Sequence, residues 1–276
     1  MEPFSVLMSV YKNEKPDFFK TAMDSVLNQT VRPDEIILIR DGYVPEELQK
    51  VIDDYIHDTA LFTYIPLEIN GGLGNALKIG IEKSRNEIIA RMDTDDISVH
   101  NRFELQLKCF EKNKELSVAG GQIEEFISDR CSIVGKRAVP LADYNIKKFL
   151  KKRNPLNHMS VMYKRSDVLT AGNYQELFFL EDYFLWCRMF LKGCKFVNVP
   201  ETLIYARVGK EMYQRRGGYK YFKSWKVLER FKLKNRIISF FTYIVNLIER
   251  FIVQVMMPNK IRGWMFKRFA RVKSNQ

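Results

Sequence analysis

Short apolar runs alternate with segments of helical periodicity over the first 92 residues of the chain. Each apolar run predicts a buried strand, and each stretch with apolar residues three or four positions apart predicts a helix. The strands are predicted at residues 4–10, 35–39, 62–65 and 87–92, and the helices at 16–28, 45–57 and 75–84. This alternation indicates an α/β fold with a largely parallel sheet that is covered by helices.

The pattern after residue 116 is less regular. Strands are predicted at residues 117–127, 133–139, 158–163 and 195–199, and helical segments at 144–152, 164–172 and 180–191. In the last of these helices, Leu180, Phe184, Cys187 and Leu191 fall on one side, which predicts the face that is buried.

Carboxylates crowd the end of the fourth predicted strand. Asp93, Asp95 and Asp96 occupy three of four consecutive positions, and ionised side chains so close together would repel one another. A divalent cation with oxygen ligands would remove that repulsion; the alternative is a solvated acidic turn that caps the following helix. Because ligands of open α/β sheets lie outside the carboxyl ends of the strands, Tyr11, Asp41 and Asp93 are expected to converge along one edge.

Composition bounds the class of protein. The chain has 276 residues, of which 46% are hydrophobic, enough for one large domain or for one domain with an appendage. Its four cysteines form no C-x-x-C pair and it has only three histidines, so we expect free thiols in a reducing cytosol rather than a zinc site. Met1 leads directly into the first strand, so no secretory signal is expected.

The net charge of +12 is concentrated towards the C-terminus. Residues 201–276 contain 18 Lys and Arg against four Asp and Glu, whereas residues 1–200 contain 27 against 29. Anionic membranes and nucleic acids are the usual partners of basic segments. No nucleic-acid-binding module is visible in the sequence, so an anionic membrane is the expected partner and nucleic acid is not.

Residues 236–257 are mostly apolar and are predicted to form one helix of about 33 Å, at ~1.5 Å per residue. Polar side chains recur on it at intervals of three or four: Ser239, Thr242, Asn246, Glu249, Arg250 and Gln254. A charge near the middle of a spanning helix costs on the order of 2.5–3.5 kcal/mol, which favours a helix lying in the plane of a membrane. Residues 261–269 add aromatic and basic side chains suited to a headgroup layer, and docking of both segments on the rest of the chain is the alternative.

The order and spacing of several motifs resemble family 2 glycosyltransferases of the GT-A fold. The resemblance runs from about Ser5 to Tyr221 and includes Ala90-Arg-Met-Asp-Thr-Asp-Asp96 and Leu180-Glu-Asp-Tyr183. It also includes residues 6–14, 25–30, 40–42, 70–72, 101–102 and 185–186. The resemblance implies a Rossmann-like, mostly parallel central sheet flanked by helices in a catalytic domain of residues 1–221. Residues 222–276 would then form basic, amphipathic C-terminal helices.

The resemblance also implies a nucleotide-sugar donor, whose diphosphate leaving group gains negative charge as the anomeric C–O bond breaks. A Mg²⁺ or Mn²⁺ ion offsets such charge, and the Asp-x-Asp motif of the family corresponds to Asp93 and Asp95. Asp95 is expected to be the direct metal ligand, and Asp93 to contact the ribose or a metal-bound water as well. Asp96 is expected to be structural, as a cap of the following helix.

Three further residues are candidates for donor binding. Asp41 corresponds to the family carboxylate that accepts a hydrogen bond from the base, although Asp-Gly also favours a plain turn. Tyr11 is placed at a strand end where it could stack on the base. Many relatives carry Arg near the diphosphate after an alanine of the third helix. Here Leu77 occupies that position, so Lys78 is the candidate substitute, with Arg91 or the basic tail as alternatives.

Asp182 corresponds to the general base of the family, which removes the proton of the acceptor hydroxyl as that oxygen attacks the anomeric carbon. A single in-line attack would invert the configuration. Glu181 is expected to raise the pKa of one member of this pair; the alternative is a carboxylate placed for the helix dipole. His158 either lines the acceptor site or is structural, and Arg215 and Arg216 would belong to a mobile basic loop that reaches the diphosphate.

The expected function is an inverting, metal-dependent glycosyltransferase of surface-polysaccharide synthesis. It would move a hexosyl or N-acetylhexosaminyl group from a nucleotide-sugar, with UDP favoured, to a glycan or polyprenyl-diphosphate-linked acceptor. The alternative is a nucleotidyltransferase acting on sugar phosphates, which residues 11–14 disfavour because they lack a glycine-rich basic loop. We expect a cytoplasmic enzyme that is attached peripherally to the inner face of the cell membrane through its tail.

Overall fold

The computed structural model describes residues 2–209, 217–258 and 261. Its strands are β1 Phe4–Val10, β2 Glu35–Asp41, β3 Phe62–Leu67, β4 Ile88–Asp93, β5 Ile97–Ser98, β6 Leu116–Phe126, β7 Ile133–Arg137, β8 Met162–Lys164 and β9 Lys195–Arg207. They form one nine-stranded sheet in the order β3–β2–β1–β4–β8–β6–β9–β5, with β7 paired to β6.

Helices cover both faces of this sheet. They are α1 Pro16–Leu27, α2 Glu46–Ile56, α3 Leu73–Lys83, α4 Arg102–Lys112, α5 Asp143–Leu150, α6 Arg165–Thr170, α7 Glu181–Leu191, α8 Tyr219–Lys234 and α9 Phe240–Phe251. A 3₁₀ turn, His158–Ser160, precedes β8, and a π-helical turn, Ile252–Met256, follows α9.

The first four strands form the parallel part of the sheet. β1 pairs in parallel with both β2 and β4, and β2 pairs in parallel with β3. β8 is antiparallel to β4 and to β6, and β6 is parallel to β9. The predicted α/β fold with a mostly parallel central sheet is therefore confirmed, and the carboxyl ends of β1, β2 and β4 lie at one edge.

The strands are apolar on both faces because two separate cores lie above and below the sheet. Leu7 and Ile37 point into a core shared with α3 and with the helices α5 to α8. Val6 and Ile36 point into a core shared with α1, α2 and α4. Strands that are buried on both sides read as continuous apolar runs, which is why the sequence pattern located β1, β2 and β4 well.

Three predicted elements of the second half differ from the structure. The strand predicted at residues 195–199 continues as β9 to Arg207. Residues 158–163 do not form one strand, since the 3₁₀ turn His158–Ser160 precedes β8. The predicted buried face of α7 is also wrong in part, because Leu191 is exposed while Tyr183 and Trp186 are fully buried. α7 is enclosed by packed neighbours on most of its surface, so no single stripe marks its buried side.

The predicted helix 236–257 begins later than the apolar pattern suggested. α8 ends at Lys234, and Arg236 takes a left-handed backbone conformation with φ 57°. Ser239 then caps α9, with its hydroxyl accepting a hydrogen bond from Thr242 N at 3.2 Å. Within the described residues, no helix has the length and the continuous apolar character needed to cross a bilayer.

The predicted domain boundary after Tyr221 falls inside α8. Tyr221 and Trp225 of this helix belong to the same core as Tyr183 of α7, and the rings of Tyr183 and Trp225 meet edge to face at 5.8 Å. Arg215, Arg216 and residues 262–276, which carry the predicted basic loop and most of the aromatic and basic segment, lie outside the described residues.

Candidate active site

Asp41, at the end of β2, organises a glycine-rich turn at the predicted edge of the sheet. Its Oδ1 accepts a hydrogen bond from Gly71 N at 2.7 Å, and its Oδ2 accepts one from Gly72 N at 2.9 Å. The Asn70 amide donates to the Asp41 carbonyl at 2.9 Å. Each carboxylate oxygen can accept a second hydrogen bond, so this structural role leaves acceptor capacity for a ligand.

Gly42 makes this arrangement possible. Its φ is +83°, and a Cβ built on it would lie 2.8 Å from Asn70 N. Any other residue would meet both the backbone strain of this conformation and a clash with the glycine-rich turn. The Asp41-Gly42 pair therefore forms a turn, as Asp-Gly favours. The same pair also fixes the loop that leads into α3.

The three aspartates that follow β4 form a compact acidic cluster. One carboxylate oxygen from each of Asp93, Asp95 and Asp96 lies within 4.8 Å of the others. Burial, then the charges of Asp93 and Glu14, raise the pKa of Asp95 to about 7. Burial and the two neighbouring aspartates raise the pKa of Asp96 well above its usual range. Nearby positive charge therefore does not offset the repulsion among the three carboxylates.

Asp96 does not cap the following helix, and that prediction is wrong. The N-cap of α4 is Asn101, which makes no side-chain capping hydrogen bond. Asp96 is instead 2% exposed, and its Oδ1 accepts a hydrogen bond from Arg207 N at 2.8 Å. Its Oδ2 is buried and has no hydrogen-bond partner among the described residues. The burial of Asp96 also argues against a fully solvated acidic turn, although Asp93 and Asp95 are partly exposed.

Arg207 links the end of β9 to the acidic cluster, a role that we did not predict. Its Nε donates to the Asp95 carbonyl at 3.1 Å. Its guanidinium is stacked between two rings, 3.7 Å from the centroid of Phe18 and 4.5 Å from that of Phe126. The chain thus holds one cation beside the cluster from an element 110 residues away in sequence, and no local sequence signal marks it.

Two buried arginines lie beneath the cluster. Arg91 forms an ion pair with Asp93, and Arg102 donates from Nη2 to the Arg91 carbonyl at 2.7 Å. Burial, and then the Arg91 charge, lower the pKa of Arg102 to about 9. Arg91 is 1% exposed, so its charge is committed to the protein interior rather than offered to a diphosphate at the surface.

Glu181 and Asp182 form a second acidic group at the start of α7. Asp182 Oδ2 accepts a hydrogen bond from Asn154 Nδ2 at 2.6 Å, and its Oδ1 accepts one from Tyr183 N at 2.6 Å. A Cβ built on Gly74 of α3 would lie 3.5 Å from Glu181 Cβ. The glycine-rich turn and the start of α7 therefore meet at one place.

The two members of this pair differ in how their charge is stabilised. Burial and the adjacent Asp182 raise the pKa of Glu181 to about 7. Burial also raises the pKa of Asp182, but the hydrogen bonds from Tyr183 N and Asn154 oppose that rise. We infer that Glu181 binds a proton more readily than Asp182 does, because two N–H donors stabilise the charge of Asp182. The charge of Asp93 also raises the pKa of Glu181, so the two acidic groups are electrostatically linked.

Tyr11 and Lys78 are exposed, whereas His158 is packed against its neighbours. Tyr11 lies at the carboxyl end of β1 and is 38% exposed, which leaves its ring accessible. Lys78 is exposed on α3, one turn beyond Gly74. His158 Nε2 is hydrogen-bonded to the Tyr174 hydroxyl at 2.8 Å, and burial and Arg91 lower its pKa well below the usual range. His158 is therefore a neutral, packed side chain.

The acidic cluster has the donor set that a divalent cation needs. Three carboxylates converge, one buried oxygen lacks a partner in the part of the chain that the structure describes, and burial disfavours leaving the charges unpaired. Hard cations such as Mg²⁺ and Mn²⁺ take oxygen ligands of this kind. The residues present thus fit a metal ion, with Asp93 and Asp95 as the less buried members of the cluster.

The fold is that of GT-A glycosyltransferases. The structure superimposes on S. aureus TarS residues 1–349 in complex with UDP-GlcNAc with a TM-score of 0.67, covering 91% of this chain and 72% of that one, at 15% sequence identity. It superimposes on the mannosyltransferase PcManGT from Pyrobaculum calidifontis, in complex with GDP-Man and Mn2+, with a TM-score of 0.64. That match covers 95% of this chain and 72% of that one, at 11% identity.

The sequence places the chain within this class. Residues 5–167 match the model of the family described as Glycosyl transferase family 2, and the chain belongs to that family. It is similar to the amylovoran biosynthesis glycosyltransferase AmsE of Erwinia amylovora, with 36% identity over 96% of this chain and 98% of the relative. It is also similar to the Escherichia coli UDP-Gal:alpha-D-GlcNAc-diphosphoundecaprenol beta-1,3-galactosyltransferase, with 35% identity over 97% and 96%. The family membership sets aside the nucleotidyltransferase alternative.

Asn154 contacts a candidate site carboxylate, and sequence reasoning assigned it no role. It lies 28 positions before the carboxylate that it contacts, in the segment between α5 and the 3₁₀ turn. Only the packing of α5 against α7 brings the two together. The Asn-Pro dipeptide at residues 154–155 is a weak signal of an ordered turn, but it does not indicate what the amide binds.

Proposed function

We propose that this glycosyltransferase transfers a single sugar, with inversion, from a UDP-sugar to a polyprenyl-diphosphate-linked acceptor during surface-polysaccharide synthesis. The observation that carries the proposal is the presence of two linked acidic groups with different surroundings. Asp93, Asp95 and Asp96 crowd together, and nearby cations do not keep the pKa of Asp95 at its ordinary value, whereas Asp182 is held by two hydrogen-bond donors. The first group suits a metal-bound diphosphate, and the second suits a proton acceptor.

The names of similar proteins support the substrate classes. The E. coli relative is named for UDP-Gal and for an acceptor carried on diphosphoundecaprenol, and the Erwinia relative is named for amylovoran biosynthesis. A TarS structure holds UDP-GlcNAc. Each relative in sequence is covered almost from end to end, which favours a shared type of donor and acceptor.

In the proposed mechanism, Asp182 accepts the proton of the acceptor hydroxyl as the oxygen attacks the anomeric carbon. Asn154 and Tyr183 N hold the Asp182 carboxylate in one orientation. Glu181, whose pKa is raised to about 7, would hold a proton on its own carboxyl group. Asp41 fixes the glycine-rich turn beside the donor. A Mg²⁺ or Mn²⁺ ion held by Asp93 and Asp95 would offset the charge of the leaving diphosphate.

The base, ribose and diphosphate contacts are proposed for residues at the same sheet edge. Tyr11 would stack on the base, Asp41 would accept from it, and Asp93 would contact the ribose. Lys78 is the proposed cation for the diphosphate. We further propose that the enzyme works at the cytoplasmic face of the cell membrane, where such an acceptor would be anchored.

The test is transfer by the full chain from a panel of UDP-, dTDP- and GDP-sugars to a polyprenyl-diphosphate-linked N-acetylhexosamine, with Mn²⁺ or with EDTA. We expect one UDP-sugar to react, EDTA to abolish transfer, and proton NMR coupling to reveal an inverted anomeric centre. Full activity in EDTA would refute the metal, and a retained configuration would refute the single attack. Transfer only to a free oligosaccharide would refute the lipid-linked acceptor.

A further inference from the structure

α9 is oriented with its apolar side towards solvent. Phe240, Phe241, Ile244, Val245, Ile248 and Phe251 are all exposed, and Phe241 is 77% exposed. The exposed apolar surface continues along the π-helical turn through Ile252, Val255 and Met256. Helices of soluble domains bury their apolar side, and contiguous apolar surface of this kind marks a site of interaction.

The polar side of α9 is the side that packs on the protein. Asn246 Nδ2 donates to Glu229 Oε2 at 2.9 Å and to the Lys151 carbonyl at 3.2 Å. Arg250 donates to the Lys152 carbonyl at 3.1 Å, and its guanidinium lies 3.8 Å from the centroid of the Trp225 ring.

These contacts fix the rotation of the helix. Turning α9 over would break the hydrogen bonds of Asn246 and Arg250 and leave Glu229 without one of its buried partners. The fold therefore holds α9 with its apolar face exposed, and a rotation that buried this face would cost these hydrogen bonds.

The charge of the neighbouring helix indicates what covers this face. α8 packs beside α9, with the rings of Phe222 and Phe251 5.4 Å apart. The exposed side of α8 carries five cations: Lys220, Lys223, Lys226, Arg230 and Lys234. Glu229, the one acidic residue of α8, is buried in an ion pair with Lys232 at 2.6 Å.

An apolar stripe beside a cationic stripe matches the interface of a bilayer that contains anionic lipid, where apolar side chains enter the acyl boundary and lysines meet the headgroups. A second copy of the chain is a poorer partner for this surface. A symmetric contact between two apolar stripes would also bring two cationic α8 surfaces towards each other.

We propose that the exposed face of α9 and the π-helical turn, together with the cationic side of α8, docks on a bilayer that contains anionic phospholipid. The docking would also orient the reaction site. The segment 151–154 holds α9 through the carbonyls of Lys151 and Lys152, and it holds Asp182 through Asn154. Four consecutive residues thus connect the proposed proton acceptor to the helix that would dock.

The test is flotation of the full chain with vesicles of phosphatidylcholine alone or of phosphatidylcholine with phosphatidylglycerol. The variant Phe241→Ser/Ile248→Ser shortens the apolar face, and Ile127→Ser/Val134→Ser is the matched control, since these exposed apolar residues lie on the β6–β7 hairpin. We expect the first variant to lower the partition coefficient at least about tenfold and the control to leave it unchanged. Thermal unfolding should be alike in both, because all four side chains are exposed.

The charge component is tested with Lys223→Gln/Lys226→Gln. We expect binding to the anionic vesicles to fall about fivefold per lysine at low salt, with no change for phosphatidylcholine vesicles. Undiminished binding of Phe241→Ser/Ile248→Ser would overturn the proposal. So would a wild-type dimer in sedimentation equilibrium that this variant abolishes, because the face would then be an interface between copies. Binding is measured without a sugar donor, so its failure is distinguishable from failure of the proposed transfer, on which the orienting role rests.

Discussion

The two acidic groups of the site differ in what surrounds their charge. One carboxylate oxygen from each of Asp93, Asp95 and Asp96 lies within 4.8 Å of the others, and Asp96 Oδ2 has no hydrogen-bond partner among the described residues. Asp182 is paired only with Glu181, and two N–H donors hold its oxygens at 2.6 Å. We propose that a cation completes the first arrangement, whereas the second already suits an anion that takes up a proton. On this proposal, the metal centre and the proton acceptor differ in their surroundings rather than in residue type.

The largest effect is expected from Asp182→Asn. The amide cannot accept the acceptor proton, so kcat should fall on the order of 10³-fold, in the range of general-base catalysis, with little change in donor affinity. Steady-state kinetics and donor titration measure both. Asp54→Asn, an exposed carboxylate on α2, is the control. Normal turnover of Asp182→Asn would remove the proton acceptor from this position.

A smaller loss of about 10²-fold in kcat/KM is expected from Asp95→Asn, because the metal centre would lose a ligand. In metal-free buffer the same variant should unfold at a higher temperature than the wild type, since it relieves like-charge repulsion in the cluster. Mn²⁺ should raise the melting temperature of the wild type more than that of the variant. Equal stabilisation of both proteins by Mn²⁺ would show that Asp95 does not bind it.

Asn154→Ala tests whether the amide positions Asp182. We expect kcat to fall about tenfold and the acid limb of the pH profile of kcat to move to higher pH, because the Asn154 hydrogen bond holds down the pKa of Asp182. Asn145→Ala, an exposed amide on α5, should change neither quantity. A drop in kcat with an unmoved acid limb would mean that Asn154 is merely structural.

The smallest effect concerns stability and its pH dependence. The pKa of Glu181 is raised to about 7 in the folded chain. The stability that comes from its protonated form is therefore present below the unfolded pKa, near 4.5, and is lost as the pH rises through 7. Glu181→Gln should match the wild type at pH 5 and be more stable at pH 8 by on the order of 1–3 kcal/mol.

Thermal or denaturant unfolding at the two pH values measures this difference. Glu176→Gln, which removes an exposed carboxylate close by in sequence, is the control and should show no dependence on pH. A constant difference between Glu181→Gln and the wild type at both pH values would contradict the assignment of the proton to Glu181.

The sequence predicted the parallel half of the sheet closely. Strands β1 to β4 begin and end within two residues of the predicted positions. Burial on both faces of β1, β2 and β4 produces short, continuous apolar runs. The sheet edge with Tyr11, Asp41 and Asp93 follows from that topology alone. The family resemblance supplied the roles proposed for those residues.

The contacts that could not be predicted are non-local ones. Arg207 meets the acidic cluster from the end of β9, and Asn154 reaches Asp182 from the segment after α5. The expected cap by Asp96 failed because a buried carboxylate found a backbone donor in β9 instead of one in α4. The apolar pattern of α9 gave its amphipathic character, but it could not show that the polar side is the one that packs on the protein.

The attachment of α9 has a practical consequence for anyone who purifies this enzyme. Deleting an exposed apolar helix is a common way to improve the solubility of a recombinant protein. Here the cut would remove Asn246, uncover the buried Glu229–Lys232 ion pair and loosen Lys151, three positions before Asn154. Truncation is therefore expected to raise the solubility and to lower the turnover. Purifying the full chain in detergent or lipid discs would keep both the contacts of α9 and the turnover.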